Sequence, residues 1–253
     1  MGAMTTLVAT FVCTVGGAFV GMLLRPVLPQ HHLRDDSKDV LKLGAGVIAT
    51  LTALVLGLLV GSAKSSFDSV NSLIVQIGAK TITLDRALAH YGPETKELRD
   101  QIQAAMETMV AAAWPDSGDA ASRLKAVETP IGSEGLLSRI RDLKPSNDAQ
   151  SASQTQALQI GNELQQSRWL MIEENQVELP TAFLVVLLCW LTILFATYGL
   201  LTPLNPTVVV VLTVCALSMS GAIYLIVEMN QPFDGVIKAS SAPLLKALQY
   251  INR

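Results

Sequence analysis

Polar and apolar positions along this chain fall into long blocks rather than short alternations. Four blocks contain no Asp, Glu, Lys, Arg or His: Met4–Leu24, Leu43–Ala63, Thr181–Leu201 and Thr207–Val227. Each is close to the ~20 apolar residues that a helix needs to cross a bilayer's hydrocarbon core. The pattern predicts an all-α membrane protein with four spans in two helical hairpins. The first hairpin occupies 1–63 (spans 4–24 and 43–63) and the second 180–227 (spans 181–201 and 207–227). A helical extramembrane bundle over 64–179 separates them, and 228–253 forms a C-terminal tail.

The intervening segment has a helical period. Phe67, Val70, Ile74, Ile77, Leu84, Leu88 and Tyr91 recur at three- and four-residue steps, with Thr81 in the missing place. This heptad-like seam follows span two without a proline, so span two is expected to continue out of the membrane as one long helix. Gly78 is the weak point in that continuity. Gly92-Pro93 stops this helix and starts the next, with Pro93 at the first helical position and Glu94 in a first turn that favours an acidic side chain. The following helix reaches about Ala113, with Leu98, Ile102, Ala105 and Met109 on one face. Trp114 to Gly118 reads as a loop. A short helix over Gly135–Leu143 and a long one over Asn147–Glu178 follow, the latter with Ala157, Ile160, Leu164 and Met171 in register. Pro180 opens span three. The expectation is of helices extending the membrane bundle rather than a separate soluble fold. Between spans three and four, Thr202-Pro203-Leu204-Asn205-Pro206 makes a tight turn.

Composition fits this picture. Half of the 253 residues are hydrophobic, 15% are charged, the net charge is -3 and the mean hydropathy is +0.42. No basic block suggests a nucleic-acid partner, and no series of ten-residue alternating strands suggests a transmembrane barrel. The first span reads as retained, because no Lys or Arg precedes it and no clean small-x-small cleavage site follows. Cys13, Cys189 and Cys215 all lie within spans, without metal or redox spacing. They are expected to be buried, inert side chains. The lipid bilayer is the first partner, and an inner (plasma) membrane location is expected. Orientation stays open. Arg25, Arg34, Lys38 and Lys42 crowd the first loop, while Lys64, Lys238 and Lys246 flank spans two and four on the other side.

Candidate chemistry concentrates at the spans. In span two, Gly46, Thr50, Ala53, Gly57 and Gly61 share one helical face that ends at Lys64. Two readings fit them: close helix packing, which small residues permit, or the lining of a pore. Span one carries a similar stripe of Cys13, Gly17 and Gly21, and in span four Ser218 and Gly221 precede Glu228. No ionisable residue lies mid-membrane, where proton- or sodium-coupled transporters place them. Passive conduction past small and apolar side chains remains. His31 and His32 near Asp35, Asp36 and Asp39 match no metal site and read as a solvated loop. No catalytic set, cofactor motif or metal site is found, so the chain is not expected to be an enzyme.

Two stretches resemble the bestrophin-like domain family of uncharacterised bacterial membrane proteins. The first is Leu51–Asp68, followed by Leu84-Asp85-Arg86 and Tyr91-Gly92-Pro93-Glu94. The second runs from Trp190 through Gly199, Asn205-Pro206, Ser218 and Gly221 to Glu228-Met229-Asn230-Gln231-Pro232-Phe233-Asp234-Gly235 and Pro243. Bestrophins are pentameric anion channels with four membrane helices per subunit and a neck lined by the second. The resemblance therefore implies a homo-oligomer, by analogy a pentamer, passing anions such as chloride past Gly46 to Lys64. Pro232-Phe233 is similar to the Pro-Phe that precedes the bestrophin calcium clasp. Of the clasp's acidic run only Asp234 remains, and span two lacks the aromatic neck triplets. Bestrophins keep the amino terminus in the cytoplasm, opposite to the first-loop charge count. The alternative function is a non-conducting, membrane-anchored scaffold or sensor acting through 64–179.

Overall fold

The computed structural model describes residues 2–29, 35–114, 134–176, 181–203, 205–233 and 235–251. Among these the secondary structure is entirely helical. The helices are α1 (Ala3–Leu24), α2 (Asp35–Tyr91), a 3-10 turn at Pro93–Thr95, α3 (Lys96–Ala113), α4 (Glu134–Arg141), α5 (Asp148–Gln176), α6 (Thr181–Leu201), α7 (Pro206–Met229) and α8 (Ala242–Tyr250). Four of them, α1, α2, α6 and α7, are long and apolar enough to cross a membrane.

The chain divides into two compact units. One holds Met1–Ser65 and Glu178–Asn230, the other Ser66–Val177 and Gln231–Arg253. In the first unit α1 packs against α6 and α7. Glycines make the approach close: a Cβ at Gly17 would stand 2.8 Å from the Thr192 carbonyl oxygen, and one at Gly21 would collide with Ala196. The contact is reciprocal, because Gly199 of α6 meets the carbonyl of Ala18. Here the span-one stripe serves packing, as small residues do between membrane helices. Ala18, Leu59, Ala63, Leu187, Leu191, Phe195, Ala216, Ile223 and Ile226 form the unit's apolar core. The start of α7 is capped by Asn205, whose side chain accepts from the Thr207 amide at 3.1 Å, with Pro206 at the first position.

The second unit has a core of its own, to which α2 contributes as it continues unbroken from the first. Val70, Ile74, Ile77, Leu84 and Leu88 of α2 join Leu98, Ile102 and Met106 of α3, Ile140 of α4 and Ala157 and Leu164 of α5. Of the seam residues Phe67 is only half-buried, and Thr81 and Tyr91 are buried with the rest. The α2 helix passes through Gly78 unbroken. At its end Gly92 turns at φ 139°, a conformation that favours glycine. The Thr95 hydroxyl then donates to the carbonyls of Leu88 and Gly92 at the end of the helix. Residues 228–253, expected as a tail, contain a helix: α8 packs on α3 and buries Leu244 and Ala247 in this core.

The cysteines also differ from expectation. Cys13 is half-buried, whereas Cys189 and Cys215 are exposed on the chain's surface. In a membrane helix an apolar thiol has no need to be interior. His31, His32, Arg34, Leu204, Asp234, Pro180 and the loop after Trp114 lie outside the described residues.

Candidate functional site

Within the first unit the span-two portion of α2 has three distinct faces. Ala45, Thr52, Leu59 and Ala63 are buried, spaced at seven and four residues so that they stack along one side. A second side is bulky and open: Leu43, Val47, Leu51, Leu54 and Leu58 are all exposed. Between these lies the small stripe. At about 100° per residue, Gly46, Thr50, Ala53, Gly57, Gly61 and Lys64 fall within an arc of roughly 80°. All six are exposed.

The stripe's glycines behave unlike Gly17 and Gly21 of α1 and Gly199 of α6. A Cβ added at Gly46, Gly57 or Gly61 meets nothing within 4 Å. The close-packing reading therefore fails within a single chain, although it stays open between chains. Thr50 turns its hydroxyl back onto the Gly46 carbonyl at 2.9 Å, which satisfies it without a neighbour. A shallow recess of about 550 Å³ lies over Lys42, Gly46 and Thr50. Lys42 pairs with Asp39 at 2.9 Å and Lys38 with Asp35 at 3.0 Å, so the acidic first turns of α2 are balanced locally. Ser218 and Gly221 of α7 are not packed like the α1 stripe: Ser218 bonds back to Val214 at 2.9 Å, and nothing lies within 4 Å of a Cβ at Gly221.

The motif after α7 divides between the units. Glu228 belongs to the first and is buried in the last turn of α7, one turn after Tyr224. Pro232, Phe233 and Gly235 belong to the second unit. There the Ala239 amide donates to the Pro232 carbonyl at 2.7 Å and closes a loop, turned at Gly235 with φ 81°. Trp114 holds that loop twice. Its indole Nε1–H donates to the Ala239 carbonyl at 2.7 Å, and its ring meets Phe233 edge-on with centroids 5.6 Å apart. Among the described residues no group of His, Cys, Asp or Glu could hold a metal.

Sequence reading missed three residues that matter here. Trp114 looked like a loop marker, and nothing local links it to Ala239, 125 positions away. Asp85 is fully buried and receives a two-pronged hydrogen bond from Arg99, at 2.7 and 3.0 Å. That bond holds the Arg99 pKa above its ordinary value, against the opposing effect of burial. The signal was present, since Asp85 stands four residues after Thr81 and three before Leu88, inside the seam. Thr52 is the third, a polar residue on the buried side of span two.

Comparison with curated proteins finds no significant match. Among solved structures, the fold matches the crystal structure of a mutant bacterial bestrophin homologue from Klebsiella pneumoniae. The TM-score is 0.64 at 14% identity, covering 96% of this chain and 97% of that one. A sequence model of the bestrophin-like domain matches residues 12–244. With nearly its whole length accounted for, this all-helical chain belongs to the bestrophin-like family.

Proposed function

We propose that this chain is a four-span, multi-pass protein of the inner (plasma) membrane that assembles into a homo-oligomer with an anion-conducting pore, the small face of α2 lining the lumen. The observation that carries the reading is the contrast among glycines. Gly17 and Gly21 of α1 and Gly199 of α6 are consumed by packing, whereas Gly46, Gly57 and Gly61 face open space beside Thr50 and Ala53. Such a face leaves room for a permeant ion once copies surround an axis, and dewetting of its apolar length provides a gate. Lys64 at the end of the stripe places positive charge at one mouth, and no acidic residue interrupts the stripe. Five copies is the number suggested by family analogy, and chloride the first ion to try. Membership in a channel-like family and the lack of a convergent catalytic set support a protein without enzymatic activity. The short link between α6 and α7 supports pairing of these two helices as one hairpin of the arrangement.

The test is planar-bilayer recording of purified protein in asymmetric chloride. Anion-selective currents that Gly61→Leu narrows and Lys64→Glu alters are expected. Silent bilayers with a folded oligomer would replace this reading with a membrane-anchored scaffold acting through the second unit, whose own core suits a partner-binding role.

A further inference from the structure

Arg25 carries a charge that the described residues leave unanswered. It is the first ionisable side chain after the uncharged block of α1 and forms the C-terminal cap of that helix, its amide donating to the Gly21 carbonyl at 3.3 Å. Gly21, one turn below on the same side, is the residue pressed against Ala196 of α6. Arg25 therefore leaves α1 along its packed face and is half-buried. Its Nη1 is buried without a hydrogen-bond partner. Nε and Nη2 are not shut in the same way, so they form the open edge of the guanidinium.

The surroundings restrict what can meet that edge. Gly17 meets Thr192 and Gly21 meets Ala196, so α1 and α6 run in the same direction and end together. No acidic residue occurs before Asp35 or between Thr181 and Val227. Of the acids that open α2, Asp35 and Asp39 are held by Lys38 and Lys42 at 3.0 and 2.9 Å, and Asp36 is exposed. The C-terminal dipoles of α1 and α6 favour a cation here, but a half-buried guanidinium without a counter-charge still carries a desolvation cost. Depth points to the missing anion. The end of an uncharged block lies at the edge of the hydrocarbon, where lipid headgroups begin. Val20, Leu23 and Leu24 stand exposed on the adjacent flank of the same last turns, an apolar strip leading up to the charge.

We propose that Arg25 holds the phosphodiester of an anionic phospholipid, whose acyl chains lie along Val20, Leu23 and Leu24. Nε and Nη2 make the paired hydrogen bonds that a guanidinium offers to phosphate. Nη1 stays turned into the protein and takes no part in the contact. A free phosphate would leave the apolar strip unused, whereas a phospholipid engages the charge and the strip at once. A zwitterionic headgroup brings its own cation to the phosphate, so the site favours a headgroup with net negative charge. The residues involved lie on α1, away from the small stripe of α2, and the inference does not depend on the pore reading.

The test uses full-length protein in a neutral detergent, titrated with phosphatidylglycerol or phosphatidylcholine. Native mass spectrometry reads binding, and the melting temperature reads its consequence. Wild type should bind phosphatidylglycerol roughly tenfold more tightly than phosphatidylcholine, the worth of one charge-assisted contact. Arg25→Gln should bind the two lipids equally. Arg25→Lys keeps the charge without the fork and should fall between them. Stability separates a lipid site from a merely structural cap. Without lipid, Arg25→Gln should melt no lower than wild type, because it removes a half-buried charge that has no partner. With phosphatidylglycerol in excess, wild type should melt above the variant, since a ligand bound by the folded state alone stabilises it. A variant destabilised equally with and without lipid would show that the guanidinium serves the fold, and would overturn the proposal. So would a phosphatidylglycerol preference that persists in Arg25→Gln. Displacement of phosphatidylglycerol by inorganic phosphate would replace the lipid with a free anion and overturn it too.

Discussion

Gly21 on α1 rests against the carbonyl of Ala196 on α6, with no space between them for a Cβ. Overpacking at such a contact costs about 1–3 kcal/mol, because the obstacle is backbone and cannot rotate away. Gly21→Ala should lower the melting temperature of the detergent-solubilised protein. Gly57→Ala should not, because its new methyl meets nothing in its own chain and replaces a poor helix former. Equal destabilisation by both would remove the distinction between the two stripes.

The Asp85–Arg99 pair is the second prediction. Asp85 is fully buried and its two carboxylate oxygens are engaged by one guanidinium. Asp85→Asn would leave Arg99 facing a site built for a carboxylate, at a cost of about 3 kcal/mol. Arg99→Lys keeps the charge but loses the fork, so it should fall between wild type and Asp85→Asn. On the arginine side, the raised pKa means its stabilisation is complete below the unfolded value and is lost only as pH passes the higher folded value. Acid and neutral conditions therefore leave Arg99 charged. Urea denaturation of the three proteins checks the order.

Trp114 clamps the loop after α7. Trp114→Phe removes the donor and leaves the Ala239 carbonyl without its indole partner, at about 1 kcal/mol. Trp114→Ala also removes the edge-on contact with Phe233 and should cost more. The expected readout is faster proteolysis within 232–241, slight in the phenylalanine variant and pronounced in the alanine variant. Unchanged cleavage in both would show that the loop stands without Trp114.

The helical architecture was legible because hydrophobic blocks and seams are local patterns. Leu98, Ile102, Ala105 and Met109 announce their buried face by spacing alone, and the structure buries all four. Proline and glycine at 92–93 mark the break after α2 for equally local reasons. What stayed hidden depends on distant partners. Spacing alone does not separate Gly21 from Gly57, since both sit in small stripes and only the presence of α6 beside one of them distinguishes their roles. The α8 helix escaped because it is short, and Leu244 and Ala247 acquire meaning only against the second unit's core. Thr52 was passed over because the stripe that drew attention lies on another face of the same helix.

Gly78 tests whether the core has room at α8. A Cβ there would stand 3.1 Å from the Pro243 carbonyl oxygen, a small overlap that a shift of a few tenths of an ångström relieves. Gly78→Ala also gains about 1 kcal/mol of helix propensity, so its net effect on stability should be near zero. Gly78→Leu cannot be absorbed in this way and should displace α8. Hydrogen exchange over Ala242–Tyr250 should rise sharply in the leucine variant alone. Protection that persists in Gly78→Leu would mean that α8 is held from elsewhere.

Lys64 closes the small stripe of α2 and is exposed on the chain. If copies surround an axis, their Lys64 side chains ring one mouth, and each adds to a potential that concentrates anions there. The Debye length sets how far that potential reaches, about 30 Å at 0.01 M salt and about 3 Å at 1 M. Lys64→Gln should therefore reduce single-channel anion conductance several-fold at low salt, and Lys64→Glu should reduce it further or reverse the selectivity. In 1 M chloride the three proteins should conduct within about twofold of each other, because screening removes the ring's influence. A conductance difference that is the same at both salt concentrations would place Lys64 in direct contact with the permeating ion rather than at a charged mouth. No difference at either concentration would move the pore away from this end of the stripe.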